Sequence, residues 1–238
     1  KYHWWRSTLM VRLYLFAEGQ TEQTFASTIL QPYLGQHQVF MHHPRLIAHG
    51  RKKGKTNRGG SGYGDYQPMK DDILRSLAED KNTDVFFTTM IDLYAIHYNF
   101  PGLKEAEIMR QNPIKRVEFL EKSFANDIDD PRFIPYIQLH EYEAYLFSDP
   151  TCFESFYDHC SDRVAILKAA ADKHETPELI NDSKETAPSK RIIAQFPDYE
   201  RAKSTVGPLL AESIGLEIIR NKCPHFNSWL LRLESLGK

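Results

Sequence analysis

Val11–Ala17 reads VRLYLFA, and Glu18–Glu22 follows at once as EGQTE. A short apolar run rich in β-branched and aromatic residues is the pattern of a buried strand. Thr21 is placed to cap a helix running to about Tyr33, with Phe25, Ile29 and Leu30 on one face. Working outward, Val39–Ala48 and Phe133–Leu139 are further strand candidates. Asp84–Ile96, DVFFTTMIDLYAI, is the strongest strand signal and stops near Asp92. Helical spacing falls between these runs, at Met69–Ala78 and Pro113–Asn126. Strands alternating with helices predict an α/β fold with a mainly parallel sheet flanked by helices. Beyond Pro150 the pattern turns helical, at Ser189–Gln195, Val206–Ile219 and Phe226–Leu236, around a polar segment His174–Lys190. The expected organisation is an α/β domain over 10–150 and a helical C-terminal extension over 151–238, packed as one unit.

Composition narrows the classes. The 238 residues are 41% hydrophobic and 26% charged, enough apolar material for a core without staples. Thirty Lys and Arg stand against 32 Asp and Glu, so any site for nucleic acid must be local. Cys152, Cys160 and Cys223 form no CxxC pair, which argues against zinc and predicts three reduced thiols. No apolar run approaches the roughly 18–20 residues of a membrane span. Lys1–Thr8 lacks the apolar run of a secretory signal, and Met10 is a candidate natural start. A cytoplasmic location is expected.

The informative feature is where the acids sit. Glu18 ends the first strand, Asp92 lies near the end of the third, and Glu141 and Glu143 follow the fourth. Ligands of open α/β sheets bind outside the carboxyl ends of the strands, so these carboxylates are expected to converge at one edge. Such a cluster repels itself unless a cation neutralises it, and all-oxygen ligands suit Mg²⁺ or Mn²⁺. Glu22 has an alternative role as a first-turn helix acid. Glu141 and Glu143 share a face only if the strand runs through them, and Glu141 is the nearer to its end. His140 abuts the pair and is the one histidine expected to assist.

Two basic features could hold phosphates. Gly50–Tyr66 contains six glycines and the basic residues Arg51, Lys52, Lys53, Lys55 and Arg58, with Asp65 its only acid. It reads as a flexible, poorly ordered basic loop that tracks phosphates, or else as a solvated surface loop. It is not a P-loop, because the GxxxxGK[ST] spacing is absent. Ser189, Lys190 and Arg191 enter a helix after Pro188, a candidate phosphate site or a surface cap.

The strand–EGQTE and strand–Asp92-Leu93-Tyr94 blocks resemble the TOPRIM fold of topoisomerases, DnaG-type primases and OLD-type nucleases. With HEYEAYLFSD (140–149) and ETAPSKRI (185–192), the ordered blocks resemble more closely a bacterial TOPRIM-like family listed as a domain of unknown function. Members of that family are often encoded beside an AAA or ABC-type ATPase, including in phage-defence islands. The resemblance spans about 10–207. It implies a Rossmann-like TOPRIM sheet, Mg²⁺-dependent phosphodiester chemistry and an ATPase partner from an adjacent gene. Glu18 matches the family's first metal ligand and Asp92 the first acid of its DxD. Tyr94 stands where the second acid is expected, so Glu141 or Glu143 would replace that ligand.

The expectation is a Mg²⁺- or Mn²⁺-dependent TOPRIM nuclease acting on DNA or RNA with an ATPase in antiviral defence. Glu18, Asp92, Glu141 and Glu143 would hold the metal. Lys190, Arg191 and the loop cations would hold phosphates, with Lys190 also catalytic. No membrane partner is expected, and the number of copies in an assembly is left open. The rival is a non-catalytic TOPRIM-like subunit that binds nucleic acid or regulates the ATPase. A salt bridge from Lys190 or an arginine filling the space between Glu18 and Asp92 would favour that rival.

Overall fold

The computed structural model describes residues 10–52, 55–58, 65–180 and 184–238. The strands are β1 (Val11–Ala17), β2 (Val39–Met41), β3 (Arg45–Leu46), β4 (Ala48–Lys52), β5 (Lys55–Arg58), β6 (Val85–Asp92), β7 (Phe133–Ile134) and β8 (Ile137–Gln138). The α-helices before the midpoint are α1 (Gln20–Phe25), α2 (Gln31–Gln36), α3 (Tyr66–Glu79), α4 (Leu103–Ala106) and α5 (Pro113–Ile128). Those after it are α6 (Ser161–Ala171), α7 (Pro188–Gln195), α8 (Tyr199–Ile214), α9 (Leu216–Lys222) and α10 (Pro224–Glu234).

The main sheet is parallel throughout. β1 is central, with β2 and then β3 on one side and β6 on the other; β7 and then β8 flank β6. Chain order therefore reverses direction between β1 and β6. At such a switch point the loops leave in opposite directions and open a crevice at the strand ends.

The sheet is covered on both faces, which is why β1 reads as an almost unbroken apolar run. Leu13, Leu15 and Ala17 of β1 and Met90 of β6 face one core, with Phe25 and Leu34 of α1–α2 and Leu210, Phe226 and Leu230 of α8 and α10. Phe16 of β1 and Phe87 and Ile91 of β6 face the other, against Ile73 of α3 and Leu120 and Phe124 of α5. The C-terminal helices thus complete a layer of the sheet. Trp229 of α10 donates its indole N–H to Thr88 Oγ1 of β6 at 2.9 Å, tying the two together inside that core.

Three sequence expectations are corrected. The run Val39–Ala48 is broken into β2 and β3, because Pro44 cannot donate to a sheet ladder. Pro135 splits the fourth strand into β7 and β8 in the same way. The basic segment is not a loop over its described start: β4 and β5 pair antiparallel with Arg51 opposite Thr56 and Lys52 opposite Lys55, and residues 53–54 and 59–64 lie outside the described residues. The glycine content did not foretell that ladder. Arg51, Lys52, Lys55 and Arg58 lie on the hairpin strands, and Lys53 lies outside the described residues. Among the described residues no helix is long and apolar enough to cross a membrane.

Candidate functional site

The site grows out of the β1–β6 switch point. Leaving β1, Glu18 is 5% exposed, and its Oε2 accepts the backbone N–H of Asp92 at 2.7 Å. This bond locks the end of β6 onto the end of β1, so the two acids are neighbours. They line one small crevice, together with His97 and the apolar side chains of Ile47, Met69 and Phe100. Glu22, on the first turn of α1, reaches back so that its Oε2 accepts the N–H of Gly19 at 2.9 Å. That helix-capping use is the structural role foreseen for Glu22, yet the residue is 6% exposed and lies among the other acids.

Glu141 and Glu143 arrive from the other side. The strand does not run through them: Glu141 caps a 3₁₀ segment, Tyr142–Ser148, that carries Glu143. The two side chains consequently diverge. Glu141 accepts the backbone N–H of Ser189 at 2.9 Å and the Ser189 hydroxyl at 3.1 Å, binding the start of α7. Glu143 is 5% exposed and turns to α8, where Lys203 Nζ lies 3.2 Å from its Oε1 and Tyr199 donates to the same oxygen at 3.5 Å. Tyr199 and Lys203 are one helical turn apart, which brings both to one acceptor. Close approach of α8 requires Gly207: a Cβ there would lie 2.9 Å from the Tyr199 hydroxyl and 3.4 Å from Thr21 of α1.

The electrostatics follow from burial. Glu18 is pushed up to about 8 by burial and by Glu22, with Glu141 and Glu143 adding to the rise and the Asp92 N–H opposing it. Burial and Glu143 push Glu22 up to about 7, while the N–H bonds and Lys203 restrain it. Asp92 is raised well above its ordinary range by burial, then by Glu18, Glu22, Glu143 and Glu141. Glu143 rises through burial, held back mainly by Lys203. Glu18, Glu22, Asp92 and Glu143 thus meet in a dry place, with half-buried Glu141 acting on Glu18, Asp92 and Glu143, and two buried polar atoms at this place have no partner. One is Asp92 Oδ1; the other is the hydroxyl of Tyr142, a residue that is 1% exposed and feels both Glu22 and Glu143.

The donors are carboxylate and phenol oxygens, the chemistry that hard divalent cations take. As the side chains stand, however, no group of three or more His, Cys, Asp or Glu among the described residues is placed to hold a metal ion. Glu141 and Glu143 are drawn aside by Ser189 and Lys203.

A family model described as a domain of unknown function, DUF4276, matches residues 17–234. The chain belongs to the DUF4276 family. The DUF4276 match begins beside Glu18 and ends within α10, so it takes in all five acids and the helices that hold them. No curated relative and no solved structure matches the chain.

The remaining predicted residues stand as follows. Tyr94 is turned away in a 3₁₀ turn, its N–H on the His140 carbonyl at 3.2 Å. His140 is buried, and burial, then Arg116 and His174, push its imidazole down to about 4, so it is neutral at ordinary pH. Lys190 is exposed on the first turn of α7, next to Ser189. Arg191 Nε donates to the Thr186 carbonyl at 2.7 Å, so this part of the guanidinium braces the entry to α7 instead of facing outward. Lys203 and Tyr199 were missed. Their signal was an i, i+4 pair in a helix, which reads as a solvated face unless the partner acid is known.

Proposed function

We propose that this DUF4276 chain is a TOPRIM-like, Mg²⁺- or Mn²⁺-dependent nuclease that works with an AAA or ABC-type ATPase in antiviral defence. The observation that supports it most is the imbalance at the β1–β6 switch point. Glu18, Glu22, Asp92, Glu141 and Glu143 gather there, and among the described residues Lys203 is the cation ion-paired to them. Buried acids without enough counter-charge weaken a fold, and such sites are kept where chemistry needs them.

Glu18, Asp92, Glu141 and Glu143 would hold the ion. Bound there, a divalent metal would activate water and neutralise charge building on a phosphodiester. Glu18 fixes the end of β6 through the Asp92 N–H, which positions Asp92. Lys190, exposed beside the tether between Glu141 and Ser189, would meet a phosphate. The hairpin positions Arg51, Lys52, Lys55 and Arg58, with Lys53, would add phosphate contacts along the strand of nucleic acid.

The second reading is a non-catalytic, nucleic-acid-binding or regulatory subunit of the ATPase complex. The side-chain arrangement backs it better than the nuclease: there is no ready ligand set among the described residues, Tyr94 replaces an acid, and a lysine sits on Glu143. That reading leaves the buried imbalance without a purpose, whereas the nuclease requires the acids to turn inward on a cation.

The deciding experiment is cleavage of plasmid, linear DNA and tRNA in Mn²⁺, with and without the ATPase encoded alongside. Asp92→Asn and Glu18→Gln are each expected to lower cleavage by about 100-fold or more. If both variants cut as well as the parent, these acids are not the site. If the parent never cuts under any metal or partner condition, the non-catalytic reading replaces the nuclease.

A further inference from the structure

Lys203 occupies a place that invites a second role. Its side chain is one-third exposed, and the ammonium lies 3.2 Å from a carboxylate whose own side chain is 7% exposed. One positive charge reaches Glu143, and Glu22 feels it as well. It does not reach the other end of the cluster, where Asp92 Oδ1 is buried without a partner. The Tyr142 hydroxyl is buried and equally unpartnered, and it feels both Glu22 and Glu143. These two orphaned oxygens are independent signs that the resting contacts do not complete the site. Lys203 and Tyr199 both sit on Oε1 of Glu143, and an ion shared with Asp92 would compete with the ammonium for the single charge of this carboxylate and repel it.

We propose that Lys203 is the internal counter-cation of the acidic site, and that a divalent metal ion binds by displacing it from Glu143. This rests on the metal-binding reading given above and deepens it. The displaced ammonium moves toward solvent, which its partial exposure permits, and α8 is thereby coupled to the metal state of the site. Such an arrangement keeps the acids apart in the absence of metal and sets a threshold concentration for loading. Lys203 is a positioning residue in this scheme, since it acts through Glu143.

Three measurements on the full chain test it. Calorimetric titration with Mn²⁺ alone is expected to give Lys203→Met about tenfold tighter binding than the parent, with Lys203→Arg close to the parent. In melting experiments Lys203→Met should lose stability in EDTA and recover it in Mn²⁺. Equal loss in both buffers makes Lys203 merely structural and overturns the proposal, as does unchanged Mn²⁺ affinity. Should Lys203→Met fail to fold, the parent carries the test through amine acetylation read by mass spectrometry. Modification of Lys203 should rise several-fold in Mg²⁺ over EDTA, and no rise overturns displacement. Parent protein that binds Mn²⁺ without these responses refutes only the role of Lys203. Parent protein that binds no Mn²⁺ at all refutes the metal reading together with it.

Discussion

Two groups of buried acids in this molecule behave in opposite ways. At the first, on the β1–β6 switch point, five carboxylates gather, the ammonium of Lys203 serves Glu143 and is felt by Glu22, and Asp92 Oδ1 has no partner. The second joins α5, the Pro177–Leu179 turn and α10. There Glu178 is fully buried and accepts the N–H groups of His225 and Phe226, both at 2.9 Å, which caps the start of α10. Burial pushes Glu178 up, and His225 and those two N–H groups pull it back. His225 Nε2 lies 3.1 Å from Glu121 Oε1, which also accepts the Ile137 N–H at 2.8 Å. Burial lowers the His225 imidazole, but Glu121 and Glu178 outweigh it and the net shift is upward. Burial alone therefore does not mark a working site. The difference is in the donors: in the second group each acid meets donors placed for it, although His225 Nδ1 is itself unpartnered, whereas at the first an acid oxygen, Asp92 Oδ1, meets none.

The largest expected effect breaks the balanced group. Glu178→Gln keeps the shape but turns an amide NH₂ toward one of two backbone donors, leaving that donor unsatisfied and His225 without its neighbouring charge. Breaking a buried charged partnership of this kind costs about 3 kcal/mol. For a chain of this size that is roughly 6–12 °C in melting temperature. Urea or thermal unfolding checks it, and a loss under about 1 kcal/mol would erase the contrast between the two groups.

The acidic site should respond with the opposite sign. Asp92→Asn removes a charge from a repelling cluster, so in EDTA it should leave stability unchanged or raise it by about 1–2 kcal/mol. The pH profile makes the same point. Glu18 is pushed up to about 8 and Glu22 to about 7, against an ordinary 4.5. Between those values the folded chain keeps protons that the unfolded chain has released. The stability present below 4.5 is therefore lost as pH rises through 7 and 8. Melting in EDTA should fall from pH 5 to pH 8, and Glu18→Gln should flatten the fall. A profile that rises over this interval would mean the acids are balanced after all.

What could be read beforehand follows the same physics. β1 ends at Ala17 and β6 at Asp92, as their apolar runs indicate, because strands covered on both faces leave a continuous hydrophobic trace. The placement of Glu18 beside Asp92 was legible for that reason. The fates of Glu141 and Glu143 were not, since a 3₁₀ segment replaces the strand that would have aligned them. Glu178 and His225 are 47 residues apart, and the polar segment around Glu178 reads as a break between helices. Lys203 was hidden differently: the sequence reading begins that helix at Val206, whereas α8 starts at Tyr199, and only the tertiary fold brings Glu143 against the lysine. Long-range charge pairing leaves no periodic signature.

The smallest effect concerns the tether between Glu141 and α7, which lies between the two extremes. Glu141 is half-buried and accepts two donors from Ser189, so it is balanced in the resting state although it belongs to the acidic site. Ser189→Ala removes the hydroxyl and keeps the backbone N–H, so one of the two bonds survives. Net loss of one hydrogen bond at a half-buried carboxylate is about 0.5–1 kcal/mol, the size of a helix-cap deletion. The freed carboxylate is then less bound to α7 and better able to turn toward Asp92. Mn²⁺ binding should tighten by roughly threefold, about 0.6 kcal/mol. The two changes oppose each other, so Ser189→Ala should melt lower than the parent in EDTA and nearly level with it in saturating Mn²⁺. Thermal melts in the two buffers and a Mn²⁺ titration measure both. If Ser189→Ala is destabilised equally in both buffers, Glu141 belongs with Glu178 as a structural helix cap, and the metal site is built from Glu18, Asp92 and Glu143 without it.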